Sequence, residues 1–156
     1  MGDRIGVLDR GRLVQVGSPA EVYANPKNTF VARSVGSPPM NLIDGAIDGG
    51  NAVAEAGFCL PIVPRSGGTD GRDLIFGIRP EDMFLASGAP AQARVHDVEN
   101  HGVEKIVTLR AGDSLIRLTT PAHQSLEIDE TVRFSWNPDK VILFNRRTGR
   151  SLAHAG

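Results

Sequence analysis

From residue 42 onward, apolar and polar residues alternate in short segments separated by turn-forming residues. Alternation of this kind places successive side chains on opposite faces of an extended strand. Between Thr131 and Trp136, the apolar residues Val132, Phe134 and Trp136 share one side, which predicts that Trp136 lies in the core. Such segments occur near 42–48, 52–56, 73–79, 92–98, 103–110, 114–120, 131–136 and 140–144. Many short strands at this spacing predict a mainly β domain, either a small barrel or a sandwich.

A hairpin is predicted ahead of this β domain. Two short apolar runs, 4–8 and 12–16, flank the turn at 9–11. Gly11 in that turn can adopt the positive φ that tight hairpin turns require.

Two short helices and a linker are predicted between the hairpin and the β domain. Ser18 and Pro19 favour a helix start, and that helix is expected to extend to about residue 24. A second helix, capped by Asn28 or Thr29, is expected to extend to residue 35. The proline-rich stretch 36–39 then predicts a semi-rigid linker, with Met40 anchoring it in the core. A second stretch, Ser66–Gly71, predicts a mobile loop.

Composition limits the classes of partner. The chain has 156 residues, of which 40% are hydrophobic, and it lacks the uninterrupted apolar stretch that a membrane helix needs, so no direct membrane insertion is expected. Its formal net charge is −1, and the segments 1–41, 42–129 and 130–156 carry +2, −6 and +3. No global positive field favours nucleic acid. The single cysteine, Cys59, lies between two apolar neighbours and is expected to be a buried structural thiol.

The residues needed for several kinds of catalysis are missing. A P-loop needs a lysine after a glycine-rich turn, and none of Lys27, Lys105 and Lys140 follows a glycine. His96 and His101 lack the short helical spacing of a zinc site. We therefore predict that this chain is not an enzyme and that it has no catalytic, cofactor-binding or metal-binding residues of its own.

Three separated stretches resemble the ATP-binding subunits of bacterial ABC importers for sugars, polyols and glycerol phosphates, and they fall on the C-terminal part of such a subunit. The first comprises Asp3-Arg4-Ile5, Gly11-Arg12, Gln15-Val16-Gly17-Ser18-Pro19, Glu21-Val22-Tyr23, Pro26, Phe30-Val31-Ala32 and Gly36-Ser37-Pro38-Pro39-Met40-Asn41. The second is Gly77-Ile78-Arg79-Pro80-Glu81. The third comprises Glu99, Gly102, Glu104, Phe134-Ser135-Trp136-Asn137-Pro138 and Val141 to Phe144. The shared order and spacing of these stretches make the resemblance specific.

The resemblance implies a fold and a domain division. The implied fold is a small β-barrel like the oligonucleotide/oligosaccharide-binding (OB) fold, of the transport-associated (TOBE) type. Residues 1–17 would be the C-terminal hairpin of a nucleotide-binding domain, 18–41 the short helices and linker, and 42–156 the regulatory domain. Since the hairpin would lack its neighbour in that domain, we expect it to pack on the β domain or on a second copy of the chain.

The resemblance also implies a function: a regulatory and dimerisation part of an ABC importer ATP-binding subunit, at the cytoplasmic side of the inner membrane. The expected partners are a second copy of the chain and, through the parent subunit, membrane permease subunits. ATP and Mg²⁺ would act in the parent only. Candidate interface residues are Arg79, Pro80, Glu81, Glu99, Gly102 and Glu104. Structural roles are favoured for them: a local Arg79–Glu81 ion pair at a strand exit, and an unusual φ for Gly102 at a bend.

Two alternatives stay open. A small oxyanion sensor would use the donors Arg79, Arg94 and Arg117, because related transport-associated domains bind oxyanions such as molybdate. A freestanding single-stranded nucleic-acid binder on the same barrel type is disfavoured by the net charge of −6 over 42–129, since such grooves need positive charge and stacking faces.

Overall fold

The computed structural model describes residues 3–63 and 73–152. The first segments are β1 (Ile5–Asp9), β2 (Arg12–Gly17), α1 (Pro19–Ala24) and α2 (Thr29–Ser34). They are followed by the strands β3 (Asn41–Asp48), β4 (Asn51–Ala54), β5 (Cys59–Pro61), β6 (Leu74–Ile78), β7 (Met83–Leu85), β8 (Ala91–Asn100), β9 (Glu104–Ala111), β10 (Ser114–Pro121), β11 (Thr131–Trp136) and β12 (Ile142–Asn145). Short 3₁₀ turns at Pro80–Asp82 and Pro138–Lys140 precede β7 and β12.

The strands from β3 onward form two five-stranded antiparallel sheets. One has the order β10-β9-β8-β11-β7, and the other has the order β12-β6-β3-β4-β5. In the first sheet the edge strands β10 and β7 approach each other, so this sheet curls into a nearly closed barrel. The mainly β barrel-like fold, preceded by a hairpin and two short helices, is therefore confirmed.

The main core lies between the inward faces of the two sheets. Trp136 is 1% exposed and donates from Nε1 to the Pro61 carbonyl oxygen at 2.7 Å, as buried tryptophans require. Phe58 and Phe134 pack edge to face with ring centroids 5.3 Å apart, and the Phe76 and Trp136 centroids are 6.1 Å apart. The predicted core position of Trp136 is confirmed.

The local signals for the helices are also confirmed. Ser18 Oγ accepts from the Glu21 backbone N–H at 3.2 Å, with Pro19 opening α1. Asn28 is the cap of α2, since its Oδ1 accepts from the Val31 N–H at 2.9 Å. Gly11 adopts φ 82°, as the hairpin turn requires.

The hairpin packs on the two helices, which corrects the expected packing partner within the chain. Val7 of β1 joins Val22 of α1 and Val31 of α2 in a separate small core. Gln15 of β2 donates to the Asn25 carbonyl oxygen at 3.0 Å and accepts from the Lys27 N–H at 2.8 Å. The opposite face of the hairpin leaves Leu8, Leu13 and Val16 exposed. The helices intervene because the chain folds back directly after β2.

Other expectations differ from the structure. The strands β5 and β7 were not expected, since three residues are too few to show an alternation. A 3₁₀ turn occupies 138–140, so the segment expected at 140–144 begins as a strand only at residue 142.

Cys59 is exposed because Phe58 and Leu60 turn to the core and the residue between them faces outward, so the prediction of a buried thiol was wrong. The predicted loop at Ser66–Gly71 lies outside the described residues.

Within the described ranges, no helix has the length and apolar character that crossing a membrane requires.

Candidate functional site

Arg79 connects the barrel to the helices. It follows β6, is 4% exposed and directs its guanidinium toward the hairpin–helix unit. Its Nη2 donates to the Tyr23 carbonyl oxygen at 2.8 Å, and its Nη1 donates to the carbonyl oxygens of Val35 at 2.9 Å and Ala32 at 3.3 Å. Three carbonyls at and beyond the ends of α1 and α2 are thus held by one side chain from the barrel. Burial lowers the pKa of Arg79, and the nearby Tyr23, Glu81 and Asp82 oppose that shift.

Tyr23 and Glu81 complete this contact between the barrel and the helices. The contact formed by Arg79, Tyr23 and Glu81 is called the Arg79 joint below. The guanidinium carbon of Arg79 lies 3.9 Å from the centre of the Tyr23 ring, which is a cation–π contact. The Tyr23 hydroxyl donates to Glu81 Oε2. Burial, followed by this hydrogen bond and the Glu81 charge, raises the pKa of Tyr23 to about 12.

The expected local ion pair between Arg79 and Glu81 does not form. The ion pairs of the described residues are Arg146–Asp44 and Arg146–Glu55, and the His101 ring lies beside the Glu99 carboxylate. Pro80 begins a 3₁₀ turn, so Glu81 reaches Tyr23 while Arg79 reaches the helix ends. The prediction was wrong because both side chains bind Tyr23 of α1 instead of each other, Arg79 at its carbonyl oxygen and Glu81 at its hydroxyl.

Asn41 ties the end of the linker to both sheets. Its Nδ2 donates to the carbonyl oxygens of Arg117 at 2.7 Å and Ile78 at 3.2 Å, and its Oδ1 accepts from the Arg117 N–H at 2.8 Å. The side-chain amide thereby pairs with β10 as a backbone peptide would. Met40 beside it is 5% exposed, which confirms that the linker is anchored in a core.

A cleft of about 390 Å³ opens beside this joint. Its walls come from the end of α1, from the 3₁₀ turn after β6 and from the segment that leads into β12; the polar lining side chains are Tyr23, Asn25, Arg79, Glu81, Asp82, Asp139 and Lys140. Met40, Val141 and Ile142 supply apolar wall. Burial raises the pKa of Asp82, and so does the neighbouring Glu81, while Lys140 and Arg79 counteract the shift.

The second group of candidate residues lies at the β8–β9 turn. Gly102 has φ 83°, which confirms the unusual backbone predicted there. Glu99 and Glu104 are exposed, as is Gly102, and Glu99 lies 3.8 Å from His101. Val103 at the tip is 89% exposed. No hydrogen bond or ion pair of the described residues joins this turn to the Arg79 joint.

The structure places the six candidate interface residues in two different settings. Arg79 and Pro80 are buried within the chain, whereas Glu81, Glu99, Gly102 and Glu104 are exposed. Neither Tyr23 nor Asn41 was predicted to be a site residue. Tyr23 is the only tyrosine of the chain, and Asn41 directly follows the linker, but no spacing rule indicates their distant partners, Arg79 and Arg117.

The arginines proposed as oxyanion donors do not converge on the cleft. The cleft beside Arg79 includes neither Arg94 nor Arg117. Arg94 lies on β8, opposite Thr131 of β11 and Arg110 of β9. Within the described part of the chain, no group of three or more His, Cys, Asp or Glu residues could hold a metal ion.

Two family models match the chain. The MalK OB fold domain matches residues 36–83, and the TOBE domain matches residues 76–144. The overlap at 76–83 contains Arg79, so the joint lies where the two models meet.

The chain is similar to curated ATP-binding proteins along almost its whole length. It is 39% identical to the trehalose/maltose import ATP-binding protein MalK of Thermococcus litoralis, over 97% of this chain and 45% of that protein. It is 37% identical to the xylose/arabinose import ATP-binding protein XacK of Haloferax volcanii, over 97% of this chain and 42% of that protein. The sn-glycerol-3-phosphate import ATP-binding protein UgpC of a Jannaschia species is 34% identical, with 97% and 43% covered. The chain thus spans less than half the length of these relatives.

A solved structure shares the fold. It is the cytoplasmic molybdate-binding protein ModG with molybdate bound, with a TM-score of 0.55 and 17% identity over 66% of this chain and 94% of that one. At this identity the likeness shows the fold alone. Together with the family models and the relatives, it supports the OB-type reading of the barrel. The chain therefore carries a MalK OB fold domain and a TOBE domain, and it belongs with the C-terminal part of the ATP-binding subunits of sugar and glycerol-phosphate ABC importers.

Proposed function

We propose that this chain is the regulatory and dimerisation part of an ATP-binding subunit of an ABC importer for sugars, polyols or related solutes. The observation that carries the proposal is the match over 97% of the chain to such subunits, of which it spans 45% or less in the relatives described above. In this proposal ATP and Mg²⁺ act in the remaining part of the parent subunit, and the chain itself hydrolyses no ATP.

The joint at Arg79 gives the regulatory role a physical basis. The hairpin and helices form one small core, and the barrel forms another. Arg79 holds the helix ends through three carbonyls, and Asn41 holds the linker end to β6 and β10. A force on the hairpin is therefore transmitted to the barrel through these hydrogen bonds and through the apolar cluster that joins Ala32 of α2 to Ile142 and Phe144 of β12, rather than through a flexible tether.

The outer face of the hairpin, defined as Leu8, Leu13 and Val16, is the proposed contact with the rest of the parent subunit. Leu8 is 59% exposed and Leu13 is 60% exposed, and they lie opposite each other in the β1–β2 pair. Adjacent exposed apolar side chains on a two-stranded sheet favour coverage by another element. More than half of the length of the Thermococcus litoralis relative lies outside the matched part, and the corresponding part of a parent subunit could supply the covering element.

The proposed partners are a second copy of the chain and, through the parent, permease subunits at the cytoplasmic face of the inner membrane. The proposed dimer surface is the β8–β9 turn, where Glu99, Gly102 and Glu104 are exposed beside the apolar tip residue Val103. Association there would raise the effective concentration of two motor domains without entering the hydrolysis reaction.

Sedimentation velocity on the purified chain tests the dimer. We expect a species of twice the 16.7 kDa monomer mass, and we expect Val103→Glu to shift it toward the monomer. Val53→Glu is the matched control, because Val53 is a partly exposed valine in the other sheet. A monomer at all concentrations, or equal effects of both substitutions, would contradict dimerisation through this turn. ATP hydrolysis by the pure chain that a substitution abolishes would contradict the absence of activity.

The two alternatives have no favouring geometry in the described residues. For an oxyanion sensor, the Arg79 guanidinium already donates to three carbonyls, and Arg94 and Arg117 do not line its cleft. For a nucleic-acid binder, Trp136 and Phe134 are buried rather than available for stacking. Calorimetry with molybdate, tungstate and sulfate, and salt-dependent binding of labelled oligonucleotides, test these alternatives.

A further inference from the structure

We propose that the cleft beside the Arg79 joint binds a small, uncharged, polyhydroxylated molecule, a sugar or a polyol. This inference goes beyond the proposed function, because it concerns a ligand of this chain itself and does not depend on dimerisation or on the parent subunit.

The form of the cleft fits a small ligand. Its volume of about 390 Å³ lies within the range of small-molecule sites, roughly 300–1,000 Å³. Apolar wall from Met40, Val141 and Ile142 faces polar groups from several separate segments, which is the usual composition of such sites. Burial perturbs the pKa values of Tyr23, Arg79 and Asp82, and groups with such shifts concentrate at functional sites.

The charges of the cleft disfavour ions of either sign. Glu81, Asp82 and Asp139 would repel an anion, while Lys140 and Arg79 would repel a cation. The formal sum over these five side chains is −1, so no strong net field selects a charged ligand. A neutral molecule avoids the cost of bringing another charge into a partly desolvated site.

The donor and acceptor inventory favours hydroxyl groups in particular. Carboxylates accept hydrogen bonds and Lys140 donates them, so hydroxyls can serve both kinds of group. The Asp82 side chain is half-buried and makes no hydrogen bond in the described residues, which leaves an acceptor available at the cleft wall. The Asn25 side-chain amide, exposed at the opposite wall, adds both a donor and an acceptor.

The position of the cleft gives binding a consequence. One wall belongs to α1 of the hairpin–helix unit, and the others belong to the barrel. A ligand that contacts both walls stabilises one relative placement of the two units, because it binds only when both are in position.

A ¹H–¹⁵N NMR titration of the full 156-residue chain tests the site. The neutral probes are D-glucose, the disaccharide trehalose and the polyol xylitol; the charged probes are sulfate and spermidine. We expect at least one neutral probe to shift the backbone amides of Asn25, Lys140 and Val141 in a saturable way. We expect neither charged probe to do so with higher affinity.

The variants locate the effect. Asp82→Ala removes an acceptor and is expected to weaken binding about tenfold, the usual effect of losing one hydrogen bond to a charged group. Asp97→Ala is the matched control, since Asp97 is an exposed aspartate on β8 outside the cleft, and it should bind like the parent chain. Asp139→Ala, at an exposed position of the cleft, also removes an acceptor and is expected to weaken binding; it serves as a second variant in case Asp82→Ala loses the dispersed spectrum of the folded chain.

Three results would overturn the proposal. They are no saturable shift with any neutral probe, unchanged affinity in every cleft variant that keeps the folded spectrum, and tighter binding of sulfate or spermidine at the same amides. Each is read from the chain itself, so it is distinguishable from a failure of the dimer test.

Discussion

At the scale of single residues, Arg79 and Tyr23 show how one buried cation is accommodated. A guanidinium offers five N–H donors in a fixed plane, and four of them belong to the two Nη atoms that bind three carbonyls here. The Nε atom is buried without a partner in the described residues. The Tyr23 ring face stabilises the Arg79 charge through a cation–π contact, and the Tyr23 hydroxyl donates a hydrogen bond to Glu81. Lysine could not reproduce this planar arrangement.

Tyr23 offers a spectroscopic prediction, because it is the only tyrosine of the chain. We expect phenolate absorbance to titrate with a pKa of about 12 in the folded protein, against an ordinary value of 10.0 in urea. The raised value means that the folded state binds more protons than the unfolded state between these values. The contribution of the protonated Tyr23 hydroxyl to the free energy of unfolding is therefore complete below pH 10 and is lost as the pH rises toward about 12.

Glu81→Gln is the control for this titration. It removes the carboxylate charge but leaves the ring half-buried, so it should lower the pKa of Tyr23 only in part. If the unsubstituted chain titrates with its midpoint at the ordinary value while its far-ultraviolet circular dichroism stays native, the Tyr23–Glu81 contact does not exist in solution.

At the scale of elements, close backbone approach decides how β3 and β4 pair. Gly45 of β3 lies opposite Ala54 of β4 in the register. A Cβ at Gly45 would collide with the carbonyl oxygen of Val53 and would come within 2.9 Å of the Phe76 ring. The absence of a side chain at Gly45 therefore lets the second sheet close over the aromatic core.

Gly45→Ala is expected to destabilise the chain by about 1–3 kcal/mol, the usual cost of overpacking. Urea unfolding measures this change. Gly88→Ala is the matched control, because a Cβ there meets nothing within 4 Å, and its effect should stay within about 0.5 kcal/mol. If the two substitutions lower the free energy of unfolding equally, the close β3–β4 approach is not the reason that residue 45 must be glycine.

At the scale of the whole molecule, the chain consists of a barrel and a smaller hairpin–helix unit. The barrel core includes the large aromatic side chains, whereas the hairpin–helix core rests on valines such as Val7, Val22 and Val31. The hairpin has one buried face and one apolar exposed face. This asymmetry supports the proposal that the outer face of the hairpin contacts a further surface.

The two faces of the hairpin can be separated by a pair of neighbouring substitutions. Val7 is 8% exposed, so Val7→Ser should cost about 2 kcal/mol in urea unfolding. Leu8 is 59% exposed, so Leu8→Ser should change stability by less than about 0.5 kcal/mol in this chain. In a protein that also carries the preceding part of the parent subunit, Leu8→Ser should become destabilising. Comparable losses for both substitutions in this chain alone would show that the outer face is already covered in solution.

The sequence by itself determined what depends on neighbours along the chain. The alternation around Trp136, the caps at Ser18 and Asn28 and the positive φ of Gly102 are local properties, so these predictions were confirmed. Only the tertiary structure decided which distant groups meet. Arg79 binds the ends of two helices rather than Glu81, and Asn41 pairs with Arg117, which lies 76 residues further along the chain. Such choices depend on how the sheets and helices pack as bodies, and no periodicity or spacing in one sequence encodes that placement.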